Sequence, residues 1–259
     1  MKQTTFFGWA SWILLATGIP SVALTAPSFQ PEQGSVAETK AKPSDWDFTP
    51  DPALPNVLIL GDSISIGYTL GVRKALAGKA NVFRPMGGKQ PANCGGTTAG
   101  VTQIDQWLGT QKWSVIHFNW GLHDLKHVQV PGSSKNSDNP ADPPQATVEQ
   151  YAQNLAQIVG KLKATGARLI FATTTPVAPG TSKPAREPEA PPRYNQAALK
   201  IMQAEGIRVN DLFAFCAPQL EKLQLPKNVH FTPAGSLALA QEVARTISEV
   251  IPEKTTSSK

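Results

Sequence analysis

The apolar run Val57-Leu58-Ile59-Leu60 passes directly into Gly61-Asp62-Ser63-Ile64-Ser65. A short run with no polar alternation needs cover on both faces, as a strand inside a parallel sheet has. The pattern beyond it repeats that logic. Further strands are expected at Ala80–Phe83, Ser114–Asn119, Arg168–Ala172 and Ile207–Val209. Helical spacing is expected over Tyr68–Ala77, Gly100–Leu108, Thr147–Lys163, Arg193–Glu205 and Pro233–Ile251, with a helical turn region over Asp211–Leu223. The helix at Thr147–Lys163 carries Leu155, Ile158, Val159 and Leu162 on one stripe, and the last opens on a proline, whose fixed φ suits a first turn. Strands that alternate with helices predict an α/β domain whose parallel sheet is covered on both faces.

The carboxyl edge of such a sheet is where ligands bind. A strand ending in Gly-Asp-Ser and leading into a helix sets the Ser63 hydroxyl at that edge. The helix start offers unpaired N–H groups and partial positive charge to a developing oxyanion. A serine needs a base to take its proton, and the chain has four histidines. His117 falls inside a strand and reads as a packed or edge residue. His230, in Asn228-Val229-His230-Phe231-Thr232-Pro233, precedes the last helix and is the best-placed base. Asn93-Cys94-Gly95-Gly96 follows the second strand, and its glycines let backbone N–H groups approach an oxyanion. Asn119-Trp120-Gly121-Leu122-His123-Asp124 follows the third strand. There Asn119 or His123 is a candidate oxyanion donor, and Asp124 a candidate to hold the loop or a catalytic neighbour. Two long polar loops, Val130–Ala146 and Pro176–Pro192, also follow strands and are candidates to shape a cleft.

The ends of the chain read differently. Lys2, an apolar stretch from Phe6 to Ile19, Pro20 and small residues to Ala23 have the form of a secretion signal over residues 1–23. That stretch is short for a membrane span, so export without stable membrane insertion is expected, to the periplasm or outside the cell. Residues 24–55 read as a flexible linker, with Trp46 and Phe48 placed to dock at the domain entrance. The domain is expected over 56–251 and a tail over 252–259. A net charge of +5 without a Lys/Arg run interleaved with aromatics argues against nucleic acid as a partner. Export permits a disulfide between Cys94 and Cys216, but two separate buried thiols fit equally well. No spacing of Cys and His suits a structural zinc site, and no cofactor is expected.

Taken together, the four blocks resemble the GDSL, or SGNH, hydrolase family. Gly61-Asp62-Ser63-Ile64-Ser65 matches its nucleophile block, and Cys94-Gly95-Gly96-Thr97 its second block, with Gly95 at the oxyanion glycine. Gly121-Leu122-His123-Asp124 matches the Gly-x-Asn-Asp block, and Val229-His230-Phe231 the block carrying the base. The resemblance spans about Asn56 to Ile251. It implies a flavodoxin-like three-layer α/β/α sandwich and ester hydrolysis through an acyl-serine on Ser63. Two positions depart from the family. His123 stands where the oxyanion asparagine is expected, and Lys227 stands where an acid three residues before the base is expected. Asn228, Asp124 and Asp211 are the candidates to orient His230, and Asp62 reads as a structural hydrogen-bonder beside Ser63.

The expected function is a secreted serine esterase acting on a small-molecule or carbohydrate ester, an O-acetyl ester by analogy. Two alternatives stand beside it. One is a carbohydrate-binding relative without catalysis, motivated by Lys227 and His123. The other is a metal-dependent phosphoesterase, motivated by His123, Asp124 and His127, whose two histidines four apart suit one helical face. The remaining ligand motifs of such a phosphoesterase are missing from the sequence.

Overall fold

The computed structural model describes residues 45–251. The expected signal segment, most of the linker and the C-terminal tail lie outside them. Its elements run β1 (Asn56–Leu60), α1 (Ser63–Ala75), β2 (Asn81–Phe83), β3 (Met86–Gly87), β4 (Gln90–Pro91), α2 (Thr97–Leu108), β5 (Val115–Phe118), α3 (Val148–Ala164), β6 (Arg168–Ala172), α4 (Ala190–Ala204), β7 (Arg208–Asn210), α5 (Leu212–Cys216), a 3-10 turn (Ala217–Gln219), α6 (Leu220–Leu223) and α7 (Pro233–Ser248). Five strands form one sheet in the order β2-β1-β5-β6-β7, and every neighbouring pair is parallel. The strands β3 and β4 make a separate antiparallel hairpin that the sequence pattern did not announce.

The strand order fixes which face each helix takes. The step from β1 to β2 runs one way along the sheet; the steps from β2 to β5, β6 and β7 run the other way. Parallel crossovers are right-handed, so α1 lies on one face and α2, α3 and α4 on the other. The helix α7 packs on α1, and α3 packs on both α2 and α4. The result is a three-layer α/β/α sandwich. The reversal occurs between β1 and β5, whose carboxyl ends, Leu60 and Phe118, are register partners. Loops leaving these two strands part to opposite faces and open a crevice, the switch point where open α/β sheets bind ligands.

Sheet burial follows the sequence logic. Val57 to Leu60 and Val115 to Phe118 are at most 1% exposed. Each such aliphatic side chain contributes about 1.5–3 kcal/mol on leaving water. His117 lies among them, and burial pushes its pKa down to about 3, so the ring is neutral. Tyr68 meets it edge-on at 6.2 Å, and the Asn210 amide lies 3.4 Å from its Nε2. Trp46 and Phe48 do dock at the entrance. Arg73 donates to the Trp46 carbonyl at 3.2 Å and lies 4.0 Å over the Phe48 ring. Cys94 and Cys216 are both buried free thiols, and burial raises their pKa values to about 11 and about 12. Among the described residues no helix is long and apolar enough to cross a membrane.

Helix boundaries differ from the spacing mainly at their starts. The first begins at Ser63 rather than Tyr68, because Asp62 caps it; the α3 start is fixed by a capping box between Thr147 and Gln150. The last helix is held at a close approach. A Cβ on Gly235 would sit 2.1 Å from the Leu223 carbonyl oxygen and 2.8 Å from its carbon. The obstacle is backbone, so relaxation means moving α7 off α6. Gly235→Ala is expected to lower stability to urea by about 2–4 kcal/mol. Gly87→Ala, with open space around it, is expected to change it by less than about 0.5 kcal/mol. Equal effects for the two would refute the close approach.

Candidate active site

The turn bearing the candidate nucleophile runs from Gly61 to Ser65. Gly61 has φ 155°, and a Cβ there would sit 2.9 Å from the Ser65 hydroxyl. Asp62 caps α1 by accepting from the Ile64 N–H at 2.9 Å, which bears out its reading as a structural hydrogen-bonder. Its carbonyl accepts from Ser65 Oγ at 2.7 Å. Ser63 is the first residue of α1, so its N–H has no intrahelical acceptor.

Buried Arg84 holds this turn from the side. Its Nη1 donates to Ser65 Oγ at 2.9 Å and Thr69 Oγ1 at 3.2 Å. Its Nη2 donates to the Gly61 and Ala92 carbonyls at 2.9 and 2.8 Å. The Gly61 carbonyl also accepts from the Cys94 N–H at 3.1 Å. Arg84 therefore locks the turn to helix α1 and to the loop carrying Asn93 and Gly95. Burial lowers its pKa, with Cys94, Tyr68 and Asp62 opposing.

The candidate base, His230, comes from the loop before α7. Lys227 adopts φ 52°, a left-handed conformation unusual for a non-glycine, and its side chain passes Gly180, where an added Cβ would sit 3.3 Å from Lys227 Cγ. The turn is closed by Leu225 N–H to the His230 carbonyl at 2.9 Å and Thr232 N–H to the Leu223 carbonyl at 2.8 Å. His230 Nε2 lies 2.9 Å from Ser63 Oγ. His230 Nδ1 lies 2.8 Å from Asn228 Oδ1, and the His230 backbone N–H donates to that same oxygen at 3.0 Å. A backbone N–H needs an acceptor, so the Asn228 atom facing the ring is its oxygen. Nδ1 then carries the ring proton, and Nε2 presents a lone pair to Ser63.

The other candidate residues divide by position. His123 lies in the same cleft as Ser63 and His230. Burial depresses its pKa to about 4; Asp62 opposes this, while Lys126, Arg186 and His230 reinforce it. It is therefore a neutral imidazole with one N–H to give. Gly95 donates its N–H to Asn93 Oδ1 at 2.9 Å, so in this structure that N–H is engaged within its own loop. Asn93, which sequence reasoning passed over, lines the cleft.

Asn119 faces away from the cleft: its Nδ2 donates to the Ala172 carbonyl at 2.8 Å, bridging β5 and β6. Asp124 is buried and accepts from Thr97 N–H at 2.8 Å and Thr97 Oγ1 at 2.5 Å. It holds the start of α2 and not His230. Asp211 caps α5 through the Ala214 N–H at 3.0 Å and accepts from Thr173 Oγ1 at 2.8 Å. Of the three orienting candidates, only Asn228 touches the histidine. His123 and His127 do not share a helical face either. Residues between them form turns, and His127 binds the Asp142 carbonyl and lines a different cleft with Leu125 and Pro144.

A family model for the GDSL-like lipase/acylhydrolase family matches residues 59–238. This chain belongs to that family. The match starts two residues before Gly61 and ends past His230, so it spans all four blocks of the site. Similar solved structures include the acetyl xylan esterase AlAXEase, with TM-score 0.58, 12% identity, and coverage of 74% of this chain and 99% of that one. A lipase/acylhydrolase from Enterococcus faecalis has TM-score 0.59 and 18% identity, covering 76% of this chain and 97% of its own. An acetyl-xylooligosaccharide esterase from Geobacillus Stearmophilus has TM-score 0.57 and 16% identity, covering 74% and 94%. No curated protein matches the chain. Identities this low establish a shared fold, the SGNH hydrolase fold, and the family model makes the chain a GDSL/SGNH hydrolase.

Two buried groups of the third block pull stability in opposite directions with pH. Burial raises the Asp124 pKa to about 7, against the Thr97 hydrogen bonds that lower it. Its contribution is full below the unfolded value near 3.8 and is lost as pH rises through about 7. His123 is depressed from 6.5 to about 4. Its contribution is present above 6.5 and is lost as pH falls toward 4. Between about pH 4 and 6.5 the two slopes offset. Asp124→Asn keeps the acceptor for Thr97 and removes the charge. Its stability is expected to rise with pH in that window by about 1 kcal/mol per unit relative to wild type. His123→Gln is expected to tilt the other way. Denaturant titrations at pH 4.5 to 7 check both signs, and parallel slopes for the two variants would refute the assignment.

Proposed function

We propose that this protein is an exported serine esterase that hydrolyses a carboxylic ester through an acyl-serine on Ser63, with a carbohydrate O-acetyl ester as its substrate class. The observation that carries the reading is the aligned set Asn228 Oδ1, His230 and Ser63 Oγ, with contacts of 2.8 and 2.9 Å. Ser63 Oγ attacks the ester carbonyl while His230 Nε2 takes its proton. The tetrahedral oxyanion is received by the Ser63 N–H at the start of α1 and by the neutral His123 ring N–H. The Asn93 and Gly95 loop forms the adjoining wall. His230 then gives its proton to the leaving alcohol, which departs as the carbonyl reforms. Water, deprotonated by His230, cleaves the acyl-enzyme and restores Ser63.

Support for the sugar ester is the fold shared with two sugar acetylesterases and a cleft of about 580 Å³. An acetyl group alone would leave most of that volume empty. Support for export is the signal-like N-terminal sequence from Lys2 to Ala23.

Asn228 makes a specific demand. It fixes the tautomer as a carboxylate would, without contributing charge. Asn228→Ala is expected to lower kcat on p-nitrophenyl acetate by roughly 10²-fold, since the ring loses its fixed proton position. Asn228→Asp keeps the acceptor and adds a charge for the imidazolium, so its kcat is expected to equal or exceed wild type. Ser63→Ala and His230→Ala are expected to lose on the order of 10³-fold or more, and a fluorophosphonate is expected to label Ser63 in the wild type only. Wild-type turnover no faster than that of Ser63→Ala, with no labelling, would leave a binding protein without catalysis.

A further inference from the structure

The cleft above Ser63 is walled by cations. Lys126, Lys183, Arg186 and Lys227 all line it, together with His123 and His230, and no aspartate or glutamate does. Two of these cations are not surface residues. Lys126 is 6% exposed and Arg186 is 8% exposed. Neither forms an ion pair among the described residues. Arg186 donates Nε to the Leu122 carbonyl at 3.0 Å, which fixes the guanidinium and leaves its two terminal nitrogens as donors on the cleft.

A buried cation without a counter-ion is costly. The acids behind the wall are committed elsewhere: Asp62 to the Ile64 N–H and Asp124 to Thr97. They act on Arg186 and Lys126 only at a distance. Burial pushes Arg186 down to about 10, so it is still charged at neutral pH. Lys183 and Lys227 stand exposed at the rim, where they add attraction at long range.

We infer that the cleft selects an anionic ester, a sugar ester whose alcohol part carries a carboxylate or a sulfate, with that anion received by Arg186 and Lys126. A planar guanidinium matches either group through paired N–H donors. The negative charge belongs on the alcohol part, because an acetyl group has no place for it. This rests on the esterase reading for Ser63.

The test uses three matched substrates: methyl glucoside, methyl glucosiduronate and methyl glucoside 6-sulfate, each acetylated at the same hydroxyl. At about 20 mM salt, kcat/KM for one or both anionic esters is expected to exceed the neutral ester by about tenfold or more. That advantage is expected to shrink several-fold at about 500 mM salt, where charges are screened. The uronate and sulfate arms show which anion the cleft accepts. Arg186→Gln is expected to bring the anionic-to-neutral ratio near one. Should that variant fail to fold, the exposed Lys183→Gln and Lys227→Gln variants each lower the ratio by roughly two- to threefold, with the effect lost in high salt.

Equal kcat/KM for neutral and anionic esters at both salt concentrations would overturn the inference and leave the esterase intact. Calorimetry on Ser63→Ala separates the two readings from the other side. Binding of acetylated methyl glucosiduronate or its 6-sulfate counterpart, but not of the neutral ester, supports the anion site even if the wild type turns none over. No preference in binding or in turnover sinks it.

Discussion

One oxygen atom organises the candidate active site. Asn228 Oδ1 receives two N–H groups of the same residue, the backbone and the ring of His230. The backbone contact settles which end of the amide faces the ring, and the ring contact then settles the tautomer. A reversed tautomer would point a proton at Ser63 Oγ and leave no acceptor for its own. Everything that places Asn228 therefore places the His230 ring. Lys227 turns the chain through a left-handed conformation one residue earlier. Gln224 ties the Val229 and Pro176 carbonyls together at 3.1 and 2.9 Å. The close approach of Gly235 seats α7 directly beneath. The His230 loop is thus a folded piece of the domain, although the ring itself is exposed.

The nucleophile side is held by different means. Arg84 spends four hydrogen bonds on hydroxyls and carbonyls, and it forms no ion pair among the described residues. A carboxylate partner would have to be buried as well and would compete for the same space. Carbonyl oxygens around a guanidinium supply partial charges without a second desolvated ion. The Gly61 carbonyl is shared between Arg84 and the Cys94 N–H, so the turn bearing Ser63 and the loop bearing Asn93 are tied together. For the proposed oxyanion site such a tie would matter, because displacements well under an ångström change the strength of each donor contact.

Much of this was legible before any coordinates. The apolar run at Val57–Leu60, and the run Val115–Phe118 broken only by His117, predicted buried parallel strands because no other element hides both faces of so short a segment. The placing of Ser63 and His230 followed from the strand end and the helix start beside them. What stayed hidden depends on contacts distant in sequence. Asn119, Asp124 and Asp211 are polar residues at strand ends, like catalytic ones, but each satisfies a nearby backbone or hydroxyl group. Nothing in a one-dimensional pattern separates those two uses. Arg84, Lys126 and Arg186 read as ordinary surface cations until the fold buries them. The β3–β4 hairpin is too short for alternation to register.

The electrostatics of the two halves fit one another. In the proposed mechanism His230 becomes a cation as Ser63 attacks, and the residue behind it is a neutral amide. The cleft in front adds four more positive side chains and no acid. With a neutral ester, the nascent imidazolium has only the oxyanion as counter-charge, while the surrounding cations stabilise that oxyanion and oppose the imidazolium. An ester bearing its own carboxylate or sulfate changes this balance. On the proposed reading it would neutralise Arg186 and Lys126 on binding, so proton transfer to His230 would no longer take place against an uncompensated positive field. Under the inferred anionic substrate, the acid missing behind the histidine would be offset by an anion arriving with the ester, and discrimination for the anion would enter kcat as well as KM.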